Sequence, residues 1–284
     1  MRPAGQDEKD PAMPELPEVE IARQNLELWL RDRKVIAAEA EKTRVFRGSR
    51  RQDFTALRGG LLESYRKGKY LLLTFEGGRG VLAHLGMTGK FVRRAAGQSE
   101  RYSRARLLLN DDSVIHFTDP RMFGRLQPAR ADRLRSLPVI RQLGIDPVTD
   151  ELTPTQLQQA LGSSRQPIKV ALLDQSRIAG LGNIHAAEAL FRARIHPARR
   201  PQSLKPAEWT RLCRSIHQAI RFALDRQGGE EIEYVEEPGT ENPFLIYGRA
   251  GEKCRRCGTP IRSFVQAGRT TYFCPKDQPR RSSA

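Results

Sequence analysis

The stretch 168-IKVALLDQSRIAGLGNIHAAEALFRARIHP-197 carries two helical patterns separated by Gly180-Leu181-Gly182-Asn183. Asn183 falls where the second helix needs an N-cap, a position at which a short polar side chain takes up a backbone N–H that the helix leaves unpaired. A glycine-rich turn there frees backbone N–H groups to hold a phosphate at the helix N-terminus. Lys169 stands at the other end of the same unit. The stretch reads as a helix–turns–helix that clamps a DNA backbone without reading sequence, or, equally, as an ordinary helical hairpin with a capped end.

Working outward, prolines at 138, 147, 154, 167, 197, 201 and 206 punctuate a region of helical periodicity. Helices are predicted at 132–143, 154–161, 168–176, 183–192 and 206–227. Gly228-Gly229 closes the last, and an acidic loop, 230-EEIEYVEEPGTENPF-244, follows. Toward the N-terminus, Val19, Ala22, Leu26, Trp29 and Leu30 share one helical face that would end near Arg33. Short apolar runs at 35–40, 70–75, 80–85, 105–109 and 114–117 then alternate with turn residues. Gly77-Gly78 and Asn110-Asp111-Asp112 read as hairpin turns, so this part should be antiparallel β, a sandwich or a barrel. The predicted fold is α+β: an N-terminal antiparallel β-sandwich domain with flanking helices over 13–130, a helical domain over 131–247 and a cysteine-bearing hairpin with a basic tail over 248–284. Residues 1–12 read as a leader or a misassigned start.

The chain has 284 residues, with 49 Lys and Arg against 33 Asp and Glu, a formal charge of +16 spread along its length. That balance points to a polyanion partner, nucleic acid ahead of an anionic membrane, with a merely basic soluble protein as the alternative. No apolar run approaches the roughly 18 residues that span a bilayer. The first twelve residues lack the apolar segment of a secretory signal, so the expected place of work is the cytoplasm.

Of the four cysteines, Cys213 stands alone and is expected to be a small buried apolar residue. Cys254-x2-Cys257 followed by Cys274 matches three ligands of a zinc ribbon, and the fourth position is Asp277. Aspartate is a harder ligand than thiolate, so one structural zinc is expected with weakened affinity. The intervening 262-RSFVQAGRTTYF-273 places Gly268 and Arg269 at a hairpin tip, where an arginine suits a DNA groove or phosphate.

Six segments, 13-MPELPEVE-20, 65-YRKGKYLLL-73, 84-HLGMTGKF-91, 118-TDPRMFG-124, 172-LLDQSRIAGLGNIHAAEALF-191 and 247-YGRAGEKCRRCGTPI-261, together resemble the bacterial formamidopyrimidine-DNA glycosylases in order and spacing. The resemblance runs from Met13 to Asp277. It implies excision of oxidised purines, 8-oxoguanine and formamidopyrimidines, from double-stranded DNA, then β,δ-elimination at the abasic site. It implies that the α-amine of Pro14 is the nucleophile that forms a Schiff base with the sugar. Glu15 would be the adjacent acid/base, a carboxylic acid with a raised pKa in a dry pocket.

Lys69 matches the lysine that contacts phosphate and assists β-elimination, and Arg269 the arginine associated with δ-elimination. Phosphate clamping falls to Asn183, Arg165 and Lys169, and Tyr102 occupies a further DNA-contact position. Met87, Arg121 and Phe123 match the trio that fills the gap left by a flipped base. A bacterial, nucleoid-associated monomer is implied, with zinc on Cys254, Cys257, Cys274 and Asp277. The sequence departs from the family at Asp277, in the short acidic loop, which leaves oxidised pyrimidines open as preferred substrates, and in residues 1–12. An amide nitrogen has no nucleophilic lone pair, so Pro14 can act only as the first residue. Two other classes compete: a DNA-binding protein that keeps the clamp without chemistry, and a zinc-ribbon transcription factor, which explains only the last 31 residues.

Overall fold

A computed structural model describes residues 13–226 and 241–280. The expected leader and most of the acidic loop lie outside the described residues.

Helix α1 (Leu16–Leu30) opens with Pro17 in its first turn, where a missing N–H costs nothing, and Glu18 reaches back to the Glu15 N–H at 2.9 Å. It stops at Leu30, short of Arg33, because Asp32 turns into the left-handed region at φ 58°. Strands β1 (Lys34–Ala40), β2 (Gly59–Lys67), β3 (Tyr70–Phe75), β4 (Arg79–His84), β5 (Lys90–Arg94), β6 (Ser103–Leu109), β7 (Val114–Thr118) and β8 (Arg125–Arg130) follow, with the short α2 (Arg51–Thr55) between β1 and β2. All pairings are antiparallel, in the order β5-β7-β6-β1-β2-β3-β4-β8.

β1 and β2 meet only at Lys34↔Gly60 and Val35↔Gly59, so the sheet folds into two four-stranded leaves at that seam. Leu71, Leu73 and Val81 from one leaf pack with Leu107, Ile115 and Phe117 from the other, and α1 closes the core with Val19, Leu26 and Trp29. Both expected hairpin turns are present between β3 and β4 and between β6 and β7. The strands that apolar runs do not reveal are β2, β5 and β8, whose second faces carry charges. β8 is an edge strand, the setting in which a proline such as Pro128 is tolerated.

The expected helix at 132–143 is a 3-10 stretch (Ala131–Ser136) and then α3 (Pro138–Arg141). Pro138 pushes Leu137 out of the helical region, to ψ 138°, and breaks the run. α4 (Pro154–Leu161) begins on a Thr153–Gln156 capping box. α5 (Ile168–Leu173) ends before 176 because Asp174 is extended and its carboxylate accepts from the Ser176 N–H and hydroxyl. α6 (Asn183–Arg192) and the long α7 (Pro206–Arg226) complete this part around Leu172, Leu190, Leu212 and Ile216. Leu16, at the start of α1, belongs to this second core and ties the chain's beginning to the helices.

The final hairpin, β9 (Arg262–Gln266) and β10 (Arg269–Phe273), turns at Ala267-Gly268, both with positive φ as a tight two-residue turn requires. It rests on α6 through Phe191 and Ile261. No helix among the described residues is long and apolar enough to cross a membrane.

Candidate active site and metal centre

The N-terminus of α6 holds an anion, but the anion is Glu15 and not a DNA phosphate. The Glu15 carboxylate accepts from the backbone N–H of Gly182 (2.9 Å), Ile184 (2.8 Å) and His185 (3.1 Å), and its Oε2 lies 2.6 Å from the His185 Nδ1. The physics of the expected phosphate site is intact, and its occupant comes from 167 residues away. Gly182, not Asn183, is the N-cap. A Cβ on Gly182 would sit 2.3 Å from the Glu15 carboxyl carbon, and one on Gly180 would sit 2.8 Å from Leu16. The glycines of this turn therefore let the chain's beginning approach the helix; Leu16 N–H also donates to the Gly180 carbonyl at 3.0 Å.

Glu15 and His185 are both buried. Burial alone would raise the Glu15 pKa, but the charge and hydrogen bond of His185, the Lys69 charge and the Ile184 N–H outweigh it and hold the group down at about 2. The raised pKa expected from sequence is thus corrected: a dry pocket raises a carboxyl only when donors are lacking, and here four converge. His185 moves the other way. Burial opposes its charge, yet Glu15, then Glu18 and Glu188, raise it above the ordinary histidine value.

Lys69 occupies the tight β2–β3 turn, with Lys67 paired to Tyr70 and Gly68 at φ 57°. Arg66, one pleat away and fully buried, fixes that turn: it bonds Glu20 of α1 at 2.9 Å, both oxygens of Asp146, and the Gly68 carbonyl at 3.1 Å. Asp146 also accepts from the Gly68 N–H at 2.7 Å. Two carboxylates around one guanidinium, with backbone partners for the remaining atoms, satisfy a buried charge that would otherwise be prohibitive. Lys69 is itself buried, and burial followed by the nearby Arg269 charge pulls its pKa down, against Glu15 and Glu18. A cavity of about 180 Å³ opens here, lined by Met13, Lys69, His84, Gln175, Gly182 and Arg269. Burial, then Lys69, Arg47 and Arg125, depress His84 to about 4, so it is a neutral imidazole at that wall. Pro14, buried, follows Met13 directly.

Of the expected phosphate contacts, Lys169 is fully enclosed, its ammonium donating to the Thr271 hydroxyl (2.6 Å) and the Thr270 carbonyl (3.3 Å). Asn183 also donates to Thr270, at 3.1 Å, while its buried Oδ1 finds no hydrogen-bond partner among the described residues. In this structure both side chains tie the helices to β10, which begins with the exposed Arg269. Arg165 is exposed.

Met87, half-buried, lies in the β4–β5 loop beside the β7–β8 loop that carries Arg121 and Phe123; a Cβ on Gly86 would be 2.4 Å from the Gly124 nitrogen. Phe123 is 39% exposed, with the Arg121 guanidinium 4.8 Å from its ring centre. Tyr102, also exposed, is held at φ 59° between Arg101 and Arg104. At each site an exposed aromatic ring lies under a guanidinium, a cation–π contact.

The Sγ atoms of Cys254, Cys257 and Cys274 and a carboxylate oxygen of Asp277 lie within 4.8 Å of one another. Three thiolates and one carboxylate at that spacing suit a single tetrahedral zinc, whose ligand atoms sit about 2.0–2.3 Å from the metal. The Asp277 N–H also points to the Cys274 sulfur at 3.4 Å, the kind of backbone support such a site uses. Cys213, as expected, is buried in the apolar core of the helices.

Three family profiles match the chain: the formamidopyrimidine-DNA glycosylase N-terminal domain over residues 13–126, the H2TH domain of the same glycosylases over 143–233, and a zinc finger found in FPG and IleRS over 251–280. A formamidopyrimidine-DNA glycosylase of Thermus thermophilus is 38% identical over 274 residues, 94% of this chain and 98% of that protein. One from Desulfitobacterium hafniense is 38% identical over 270 residues, 93% and 98% of the two chains. Among solved structures, the T. thermophilus MutM (Fpg) protein superposes with a TM-score of 0.79 at 34% identity, covering 95% of this chain and all of that one. A Lactococcus lactis Fpg variant bound to DNA containing Fapy-dG gives 0.83 at 30% identity, covering 94% of this chain and all of that one.

Proposed function

The chain belongs to the formamidopyrimidine-DNA glycosylase family, and from that premise we propose that it is a base-excision repair enzyme, a DNA glycosylase with AP-lyase activity on duplexes carrying oxidised bases or abasic sites. Its substrates are 8-oxoguanine and formamidopyrimidines. Its place of work is the bacterial nucleoid.

The observation that carries this reading is the fixing of Glu15, next in the chain to Pro14, to the α6 N-terminus at the edge of a cavity shared by Lys69 and Arg269. The Pro14 nitrogen, free once Met13 and everything before it is gone, attacks C1′ of the damaged nucleotide, and the base leaves with the electrons of its glycosidic bond. Glu15 moves protons between that amine and the sugar ring oxygen, so that the ring opens to an iminium. Lys69, its pKa lowered by burial, assists β-elimination, and Arg269 stabilises the phosphate that leaves by δ-elimination. Phe123, Arg121 and Met87 fill the stack after the base is everted. Asn183, Arg165, Tyr102 and Lys169 form the wider DNA face, Lys169 indirectly by holding β10. Cys254, Cys257, Cys274 and Asp277 would hold one zinc ion, which would stiffen the hairpin that presents Arg269.

The test is incubation of the chain beginning at Pro14 with duplexes bearing 8-oxoguanine, formamidopyrimidine or an oxidised pyrimidine. Release of the free base together with a gap carrying phosphate at both ends is expected for the two purine lesions. Binding of all three without release of any would replace the enzyme with a damage-binding clamp.

A further inference from the structure

We propose that His185 holds the proton that Glu15 uses, so that the acid–base unit of this enzyme is the Glu15–His185 pair and not Glu15 alone. The proposal rests on the reading of Glu15 as the acid–base group.

Four hydrogen bonds converge on the Glu15 carboxylate, three of them on Oε2. Oε1 takes the Ile184 N–H, and Oε2 takes those of Gly182 and His185 together with the His185 ring. A carboxylate so surrounded is a poor place to store a proton, because four donors favour its charged form and a hydroxyl on Oε2 would have to displace one of them. Yet opening the sugar ring requires a proton at its oxygen, and the pocket is closed to water around both residues: Glu15 is 2% exposed and His185 1%.

The ring Nδ1, 2.6 Å from Oε2, is the one side-chain nitrogen among the described residues hydrogen-bonded to that carboxylate. Nε2 is buried and has no hydrogen-bond partner among the described residues, with the edge of Phe244 nearby, ring centres 6.4 Å apart. Among the described residues the imidazole therefore has one partner for its proton, Glu15, reached through Nδ1.

The groups around the pair favour the protonated ring. Glu18 of α1 and Glu188 of α6 face it with negative charge. Beside Phe244, the Ile246 and Tyr247 N–H groups donate to Glu188 at 2.8 and 3.2 Å. Lys69, with Arg269 of β10 beyond it, lies on the Glu15 side.

The balance closes without another reactant. The proline lone pair forms the N–C1′ bond and the base departs with the C1′–base pair. The ring proton passes from Nδ1 to Oε2, and Glu15 delivers it to the sugar oxygen as the C1′–O4′ bond breaks. The N–H proton of the former proline amine then refills the pair, leaving an iminium whose charge is matched by the departed base. His185 never touches substrate; it is a positioning residue acting through Glu15.

The test uses the zinc-loaded chain beginning at Pro14. Single-turnover release of 8-oxoguanine is followed across pH for wild type and for His185→Asn, which keeps an N–H donor near the Nδ1 position and cannot carry the extra proton. The wild-type rate should fall on the alkaline side as His185 loses its proton. In the variant the neutral-pH rate should drop at least about tenfold, and the alkaline limb should move more than about one unit toward acid. A variant profile superimposable on that of wild type, at whatever rate, overturns the proposal.

Because the variant can fail by misfolding, the wild-type ring is also followed by NMR; the chain has five histidines. The His185 Nδ1 proton should resonate far downfield and titrate above the ordinary histidine range, and Glu15→Gln should abolish that shift. A ring that stays neutral throughout, indifferent to Glu15→Gln, overturns the proposal. This titration needs no turnover, whereas failure of wild type to release any base sinks the glycosylase reading itself.

Discussion

Replacing Gly182 with alanine tests the anchoring of Glu15 at its tightest point. The φ of Gly182 is −128°, open to any residue, so what the position demands is space and not conformational freedom. The new Cβ would lie 2.3 Å from both the carboxyl carbon and Oε1 of Glu15, while ordinary contact begins at 3.4 Å. The carboxylate must therefore retreat by about 1 Å, a displacement that can cost on the order of 100-fold in rate when the group has to meet a reacting atom. It also loses the alignment of its N–H donors, each charge-assisted bond contributing about 1.5–3 kcal/mol. Overpacking at a tight site costs about 1–3 kcal/mol, which in a chain of this size lowers Tm by several degrees without unfolding it.

The assay pairs single-turnover base release with affinity for a duplex holding a non-cleavable abasic analogue. Gly182→Ala should excise about 100-fold more slowly with its duplex affinity retained. A variant that excises at the wild-type rate would show that Glu15 need not sit on α6, and the account of the site would fall.

Asp146→Ala should be strongly destabilising, on the order of 3–5 kcal/mol, because it strips the buried Arg66 of its bidentate partner and the Gly68 N–H of its acceptor; chemical denaturation measures it, and a loss under about 1 kcal/mol would mean the network is replaceable. Asp277→Cys should hold zinc against higher chelator concentrations than wild type, since thiolate is the softer ligand, and faster zinc release from the variant would argue that Asp277 suits this hairpin better. Stability should also follow the Glu15–His185 pair. The depressed Glu15 contributes stability above its ordinary value of 4.5 that is lost as pH falls through about 2. The raised His185 contributes stability below 6.5 that is lost as pH rises through its elevated value, so denaturant midpoints should be highest between these windows and Glu15→Gln should flatten both flanks.

Much of this site was legible in the sequence, though often with the wrong partner assigned. The bounds of α4 and α6 are those expected; the Thr153–Gln156 capping box and Pro154 set the start of α4 by local hydrogen bonding, whereas at α6 the cap is Gly182 and not the expected Asn183. The anion-binding character of the turn at 180–183 was equally local. Its occupant was not, since Glu15 arrives through tertiary packing, and the same convergence of donors reverses the expected direction of its pKa.

Lys169 is assigned to phosphate by its place in the helix–turns–helix unit and by the resemblance; only the fold reveals that it is enclosed by β10. Arg66, Glu20 and Asp146 gave no signal either. Nothing in sequence distinguishes charges that pair in the interior from charges that face water. His185 gave no signal at all, one histidine in an alanine-rich helix, and becomes meaningful only with Nδ1 at 2.6 Å from a carboxylate. Strands β5 and β8 escaped notice because their alternation is half charged.

The central claim, that the proline nitrogen itself carries the chemistry, is tested most directly by borohydride trapping on a duplex containing 8-oxoguanine. The chain beginning at Pro14 should be captured as a covalent protein–DNA adduct, and the chain still carrying residues 1–13 should not, because its Pro14 nitrogen is an amide. Adducts from both would place the nucleophile elsewhere, and adducts from neither would remove the Schiff base from the account.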